Sequence, residues 1–231
     1  MRLIQYLIGV AGFCFVAATA SASPSNPQSG VDYRTLDKPQ QTDATGKKVE
    51  VLEFFWYGCP HCSALEPSLE AWVKKQGDAI EFKRVPVAFR PSFLPQQKMY
   101  YALESMGKIE EMQKKIFATI HGERKALDND AAITEFVVKN GIDKQKFLDL
   151  YNSFGVQTKA RRASQMQEMY RIDGVPTLAI GGRYLTSPSI VGEKMGRQPD
   201  TVLHEATFQV AEHLVVKTVK ENGAAPVAAT K

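Results

Sequence analysis

The chain has 231 residues, 44% of them hydrophobic, and 29 Lys and Arg against 25 Asp and Glu give it a formal charge of +4. That apolar share is ordinary for a globular protein with one large or two small domains and its own core, so disulfides are not needed to hold it together. The basic residues are scattered and form no stripe, which argues against a nucleic-acid partner.

Met1 and Arg2 precede an apolar run from Leu3 to Ala18 and the small-x-small pattern Ala20-Ser21-Ala22. This reads as a secretory signal peptide over residues 1–22, cleaved after Ala22. Gln5 interrupts the run, which is short for a membrane span and is followed by polar residues, so a membrane anchor fits less well. Phe13 stands before Cys14, where a lipoprotein signal would place a small residue, and Cys14 is expected to leave with the signal. The exported protein then carries a single cysteine pair in an oxidising compartment where disulfides persist.

Ser23–Gly30 is a polar leader, expected to be disordered. Val49–Trp56 reads as a strand of bulky apolar residues, Cys59–Gln76 as a helix stopped near Gly77, and Ile80–Phe89 as a second strand. From Pro91 to about Arg171 the period becomes helical, with breaks expected at Gly107, Gly122, Gly141 and Gly155 and N-caps at Asp128 or Asp130 and at Asp143. Thr177–Ile180 and Arg183–Leu185 read as a hairpin turned by Gly181-Gly182, and Asp200–Glu221 as a last amphipathic helix. Residues 222–231 form an Ala/Pro/Gly tail with too little apolar patterning to pack. The order is that of an α/β sheet split by a helical domain.

Cys59-Pro60-His61-Cys62 follows the end of the first strand and opens a helix. Residues three apart on a helix lie on neighbouring turns, close enough for a short disulfide to open and close without moving the backbone. A structural zinc site needs four ligands, and no second Cys/His pair with ligand spacing exists, so no metal is expected. Covalent haem needs His directly after the second cysteine, where Ser63 stands. A purely structural disulfide remains the bland alternative. Cys59 at the helix start meets unpaired N–H groups and the positive end of the macrodipole, which favour a thiolate, and Pro60 there gives up no needed donor. His61 adds a donor or a positive charge. Cys62, one turn further in, is expected to be less exposed and less nucleophilic.

The chain resembles the DsbA family of periplasmic thiol-disulfide oxidoreductases in Leu52-Glu53-Phe54-Phe55, Cys59-Pro60-His61-Cys62, Gly174-Val175-Pro176-Thr177 and Gly181-Gly182-Arg183-Tyr184. It departs from the family at Gly58, where members often carry an aromatic residue. The resemblance implies a thioredoxin fold with an inserted α-helical domain: a thioredoxin-like domain over 23–90 and 171–221, with the insert over 91–170. It implies a monomeric periplasmic dithiol oxidase, without a bound cofactor, that donates the Cys59–Cys62 disulfide to unfolded exported proteins with free cysteines. A DsbB-like quinone-linked membrane oxidase would reoxidise it. A stabilised thiolate at the first cysteine makes the reduced form favourable and the protein an oxidant.

Glu53 interrupts a strand that the fold would bury on both faces; a solvent-facing position is the plain reading, and the resemblance implies a partly buried carboxyl near Cys62, with Lys83 as a neighbour able to modulate it. Val175-Pro176 is a turn or sheet-edge device on pattern alone; in the thioredoxin-like arrangement the bond is cis, faces the disulfide and offers the Val175 backbone to an extended substrate. His121, His204 and His213 read as surface or capping residues, and Trp56, Tyr57, Tyr100, Tyr101, Phe136, Phe147 and Phe154 mostly as core. The competing functions are a disulfide isomerase or reductase of the same compartment, and a peptide-binding chaperone with an incidental redox pair.

Overall fold

The computed structural model describes residues 26–45 and 47–224. The expected signal peptide with its cleavage site, Cys14 and the end of the expected tail, 225–231, lie outside the described residues.

Strand β1 (Arg34–Thr35) is followed by β2 (Val49–Phe55), helix α1 (Pro60–Gln76) and β3 (Ile80–Pro86). Five helices come next: α2 (Leu94–Ser105), α3 (Ile109–Phe117), α4 (Asp130–Lys139), α5 (Lys144–Tyr151) and α6 (Phe154–Met169). The chain then returns to the sheet as β4 (Thr177–Ile180) and β5 (Tyr184–Thr186), and ends in α7 (Pro188–Met195) and α8 (Asp200–Ala224). The sheet order is β1-β5-β4-β2-β3, with β2 and β3 parallel across the α1 crossover and the other neighbours antiparallel.

All seven residues of β2 are buried because both faces of the sheet are covered. Leu52 and Phe54 join the core built with α2 to α6, while Val49 and Val51 join the core built with α1 and α8. Glu53 shares the face of Val51, and the parallel register sets it opposite Arg84, with Leu52 opposite Lys83. Strand β3 stops at Pro86, before the expected Phe89, and a short 3-10 turn, Pro91–Phe93, leads into α2.

The helix boundaries correct several expectations. Gly155 is not a break: the Ser153 side chain accepts from the Val156 N–H at 3.2 Å and starts α6 ahead of it. The cap of α4 is Asn129, which lies between the two expected aspartates and accepts from the Ala132 N–H at 2.9 Å. Asp143 caps α5 as expected. Helix α7 was not foreseen, although Ser187 caps it and Pro188 opens it. Residues 26–30 of the expected disordered leader are ordered, with Pro27 buried and the Gln28 N–H donating to Asp32 at 2.8 Å, and its residues 23–25 lie outside the described residues. Helix α8 runs past Glu221 into the expected tail. Phe154, expected in the core, is 76% exposed.

Candidate active site

Cys59 is the N-cap of α1 and Pro60 its first residue, so the helix begins on the cysteine. The Cys59 N–H donates back to the Trp56 carbonyl at 3.0 Å, closing a four-residue turn between β2 and α1. Cys59 and Cys62 are both free thiols in this structure; Cys62 is fully buried and His61 is exposed. The hydrogen bond from the Cys62 side chain lowers Cys59 to about 6, with help from the backbone N–H groups of Cys62 and His61 and the His61 charge, against the opposing effect of burial. Burial pushes Cys62 well above its ordinary value, and the charges of Cys59 and Glu53 push the same way. The two sulfurs are thus poised apart, one toward thiolate and one toward thiol.

The Val175–Pro176 bond is cis, as expected, and in its thiol form the Cys59 Sγ donates to the Val175 carbonyl at 3.4 Å. Pro176 is buried, and Thr177 beside it donates to the Gly174 carbonyl at 2.8 Å. Loop and cysteine motif, far apart in sequence, therefore form one surface.

Glu53 is fully buried, which removes the solvent-facing reading. Its cation is not Lys83. The Arg84 Nε donates to Glu53 Oε2 at 3.1 Å, and Arg84 Nη2 bonds Glu66 of α1. Lys83, one residue earlier and hence on the other face of β3, pairs instead with Glu50 at 3.3 Å and Glu81 at 2.9 Å. Burial raises Glu53 despite Arg84, with the Glu66 charge adding to the rise, and Glu53 Oε1 is left without a partner. The network continues outward: Gln113 of α3 donates to Glu66 at 3.4 Å and accepts from the Tyr57 hydroxyl at 2.6 Å.

Several of these groups were not found from sequence. Arg84, Glu66 and Gln113 look like ordinary surface residues in the chain, and only strand register and helix packing bury them. His121, expected at the surface, has its Nε2 2.8 Å from the Tyr57 carbonyl. His204, also expected at the surface, is buried in α8; burial lowers it, and the His61 charge acts in the same direction. Trp56 stacks on Phe93 at 3.7 Å between ring centroids and lies over Gly58, where a Cβ would fall 2.3 Å from the indole. That contact accounts for the missing side chain before Cys59.

A family model described as a DSBA-like thioredoxin domain matches residues 93–196. The chain is 49% identical to the thiol:disulfide interchange protein DsbA of Burkholderia cepacia over 173 residues, covering 75% of this chain and 82% of that one. It is 37% identical to the protein of the same name from Bordetella parapertussis over 211 residues, covering 91% and 96%. The crystal structure of Pseudomonas aeruginosa DsbA matches with a TM-score of 0.75 at 32% identity, covering 84% of this chain and 95% of that one.

Proposed function

Because the chain belongs to the DsbA family of thiol:disulfide interchange proteins, with their thioredoxin-like fold and oxidoreductase activity, we propose that Cys59 and Cys62 are its exchanging pair and Cys59 the sulfur that substrates attack. The observation that carries this reading is the placement of the pair: Cys59 caps α1 with its Sγ 3.4 Å from the Val175 carbonyl, while Cys62 is fully buried, and the surroundings lower Cys59 and raise Cys62.

The cycle starts from the Cys59–Cys62 disulfide. A substrate thiolate attacks the Cys59 Sγ, a mixed disulfide forms, and the Cys59–Cys62 bond breaks with its electron pair leaving on Cys62, which takes up a proton. A second substrate thiolate then attacks the substrate sulfur of the mixed disulfide and expels the Cys59 thiolate. The substrate loses two electrons and the Cys59–Cys62 pair gains them. Low basicity makes Cys59 a good leaving group in the second step. His61 and the N–H groups at the start of α1 hold the negative charge, and Pro60 fixes the first turn without withdrawing a donor. Glu53, buried beside Arg84, sets the charge around Cys62. The Val175 carbonyl next to Cys59 offers an edge on which an extended substrate segment pairs, with Pro176 keeping that edge turned to the sulfur.

We assign the protein to the periplasm as a monomer whose substrates are unfolded exported proteins with free cysteines. Reoxidation by a quinone-linked membrane oxidase completes the cycle. Residues 23–90 and 171–221 form the thioredoxin-like part and 91–170 the helical insert. The test is oxidative refolding of a reduced exported protein: the mature chain restores its disulfides, and Cys59→Ser abolishes turnover. Activity that survives Cys59→Ser contradicts the assignment and favours a chaperone.

A further inference from the structure

The turn that delivers Cys59 has a degree of freedom that its own residues do not restrain. Its four residues are Trp56, Tyr57, Gly58 and Cys59, closed by the Cys59 N–H on the Trp56 carbonyl at 3.0 Å. Type I and type II turns differ by a flip of the central peptide, here Tyr57–Gly58, and type II places its third residue near φ of about +80°, where glycine is favoured. Gly58 is that third residue, yet it lies outside the left-handed region. Glycine is required here for space: a Cβ would fall 2.3 Å from Trp56 Cζ2. The position therefore admits both turns, while the structure holds one.

The restraint comes from the helices. The carbonyl of the flipping peptide, Tyr57 O, lies 2.8 Å from His121 Nε2. A carbonyl only accepts, so Nε2 carries the hydrogen, and both the Nε2–H tautomer and the imidazolium make the bond. His121 lies in a π-turn, Ala118–Gly122, that directly follows α3, a local widening of the kind often found at functional sites. The other end of Tyr57 is held from the same stretch, its hydroxyl donating to Gln113 at 2.6 Å. Tyr57 is thus gripped at its carbonyl and at its ring.

We propose that His121 is a positioning residue for the thiol exchange: by binding the Tyr57 carbonyl it locks the 56–59 turn in one of its two orientations and so fixes Cys59 at the start of α1. The proposal rests on Cys59 being the exchanging sulfur. A flipped Tyr57–Gly58 peptide breaks the His121 bond and frees the cap from which Cys59 meets the Cys62 thiol and the helix N–H groups. Loss of the lock therefore weakens the thiolate without touching either cysteine.

The test compares His121→Phe, which keeps a ring against Phe117 but removes the donor, with His121→Gln, which keeps a donor at similar reach. For each, the thiolate absorbance of the reduced protein is followed against pH and the pair is equilibrated with glutathione. His121→Phe is expected to raise the Cys59 midpoint and to shift the glutathione equilibrium about five-fold toward the disulfide, with His121→Gln near the parent. Parent-like titration in His121→Phe, or equal shifts in both variants, overturns the proposal. Nitrogen NMR of the parent gives a reading independent of how the variants fold: an Nε2–H tautomer supports the lock and an Nδ1–H tautomer overturns it. If the parent oxidises no thiols while His121→Phe still moves the Cys59 titration, the oxidase reading fails and the lock stands.

Discussion

The Sγ atom of Cys59 lies 3.4 Å from the carbonyl oxygen of Val175, a residue 116 positions further along the chain. The whole run of helices α2 to α6 lies between them in sequence, and the sheet brings them together because β4 pairs antiparallel with β2, Thr177 opposite Phe54. Under the proposed cycle, a substrate segment laid along Val175 meets the Cys59 sulfur and a backbone partner at once.

That arrangement predicts how the reaction stops when the second thiol is missing. With Cys62→Ser and a substrate that bears a single cysteine, a mixed disulfide on Cys59 has neither Cys62 nor a second substrate thiol to release it. Mixing the variant with a reduced, partly unfolded protein of one cysteine in a mild oxidant is expected to accumulate a covalent complex on a non-reducing gel, with the linkage at Cys59 by mass spectrometry. Complexes that form equally well on Cys59→Ser contradict the assignment of the exchanging sulfur.

The lowered Cys59 also predicts a pH dependence of stability. Its folded value of about 6 lies below the ordinary 9.0, so its contribution is full above 9, declines as pH falls, and is gone below about 6. The disulfide form has no such thiol. Melting the reduced and oxidised proteins side by side from pH 6 to 8, below the range in which the raised Cys62 thiol acts in the opposite direction, is expected to show the reduced form gaining relative to the oxidised one as pH rises. His204 is common to both forms and cancels in the difference. A difference independent of pH contradicts a depressed thiol.

Arg84 and Lys83 are adjacent in sequence and are expected to behave very differently. Arg84 is 8% exposed between two buried carboxyls, so Arg84→Met leaves them without their cation and is expected to cost about 3–5 kcal/mol by denaturant unfolding. Lys83 is 37% exposed, and Lys83→Met is expected to cost about 1 kcal/mol or less. Equal costs contradict the placement of Glu53 beside Arg84.

Gly58 tests the aromatic cover beside the cysteines. Gly58→Ala places a methyl 2.3 Å from the Trp56 ring and is expected to displace it from Phe93, at a cost of about 1–3 kcal/mol with a change in tryptophan fluorescence. In a Trp56→Ala background the same substitution is expected to cost much less. Additive costs contradict the clash.

Strands β2 and β3, α1, the β4–β5 hairpin and the cysteine motif were legible in the sequence because each carries its signal locally: bulky apolar runs, a cysteine followed by proline, a pair of glycines; β1, two residues long, carries no such signal. Glu53 was legible as an anomaly, a charge inside an apolar strand. Its partner was not, because the choice between Lys83 and Arg84 depends on the register of β3 against β2, and a shift of one residue exchanges the faces. Gln113 and His121 were hidden for a related reason. Their role follows from where α3 and its π-turn pack against the 56–59 turn, and no periodicity in a helix reports its tertiary neighbour. Helix α7 did carry a local signal, Ser187 followed by Pro188, between a hairpin and a longer helix.

The oxidase assignment requires a Cys59 thiolate stabilised enough to make the Cys59–Cys62 disulfide an oxidant. The most direct measurement equilibrates the mature protein with graded glutathione redox buffers and counts the surviving disulfide by thiol trapping and mass spectrometry. The pair is expected to be reduced even in fairly oxidising buffer. A disulfide that survives until the buffer is strongly reducing contradicts the assignment, and marks the pair as a reductase's or a structural one.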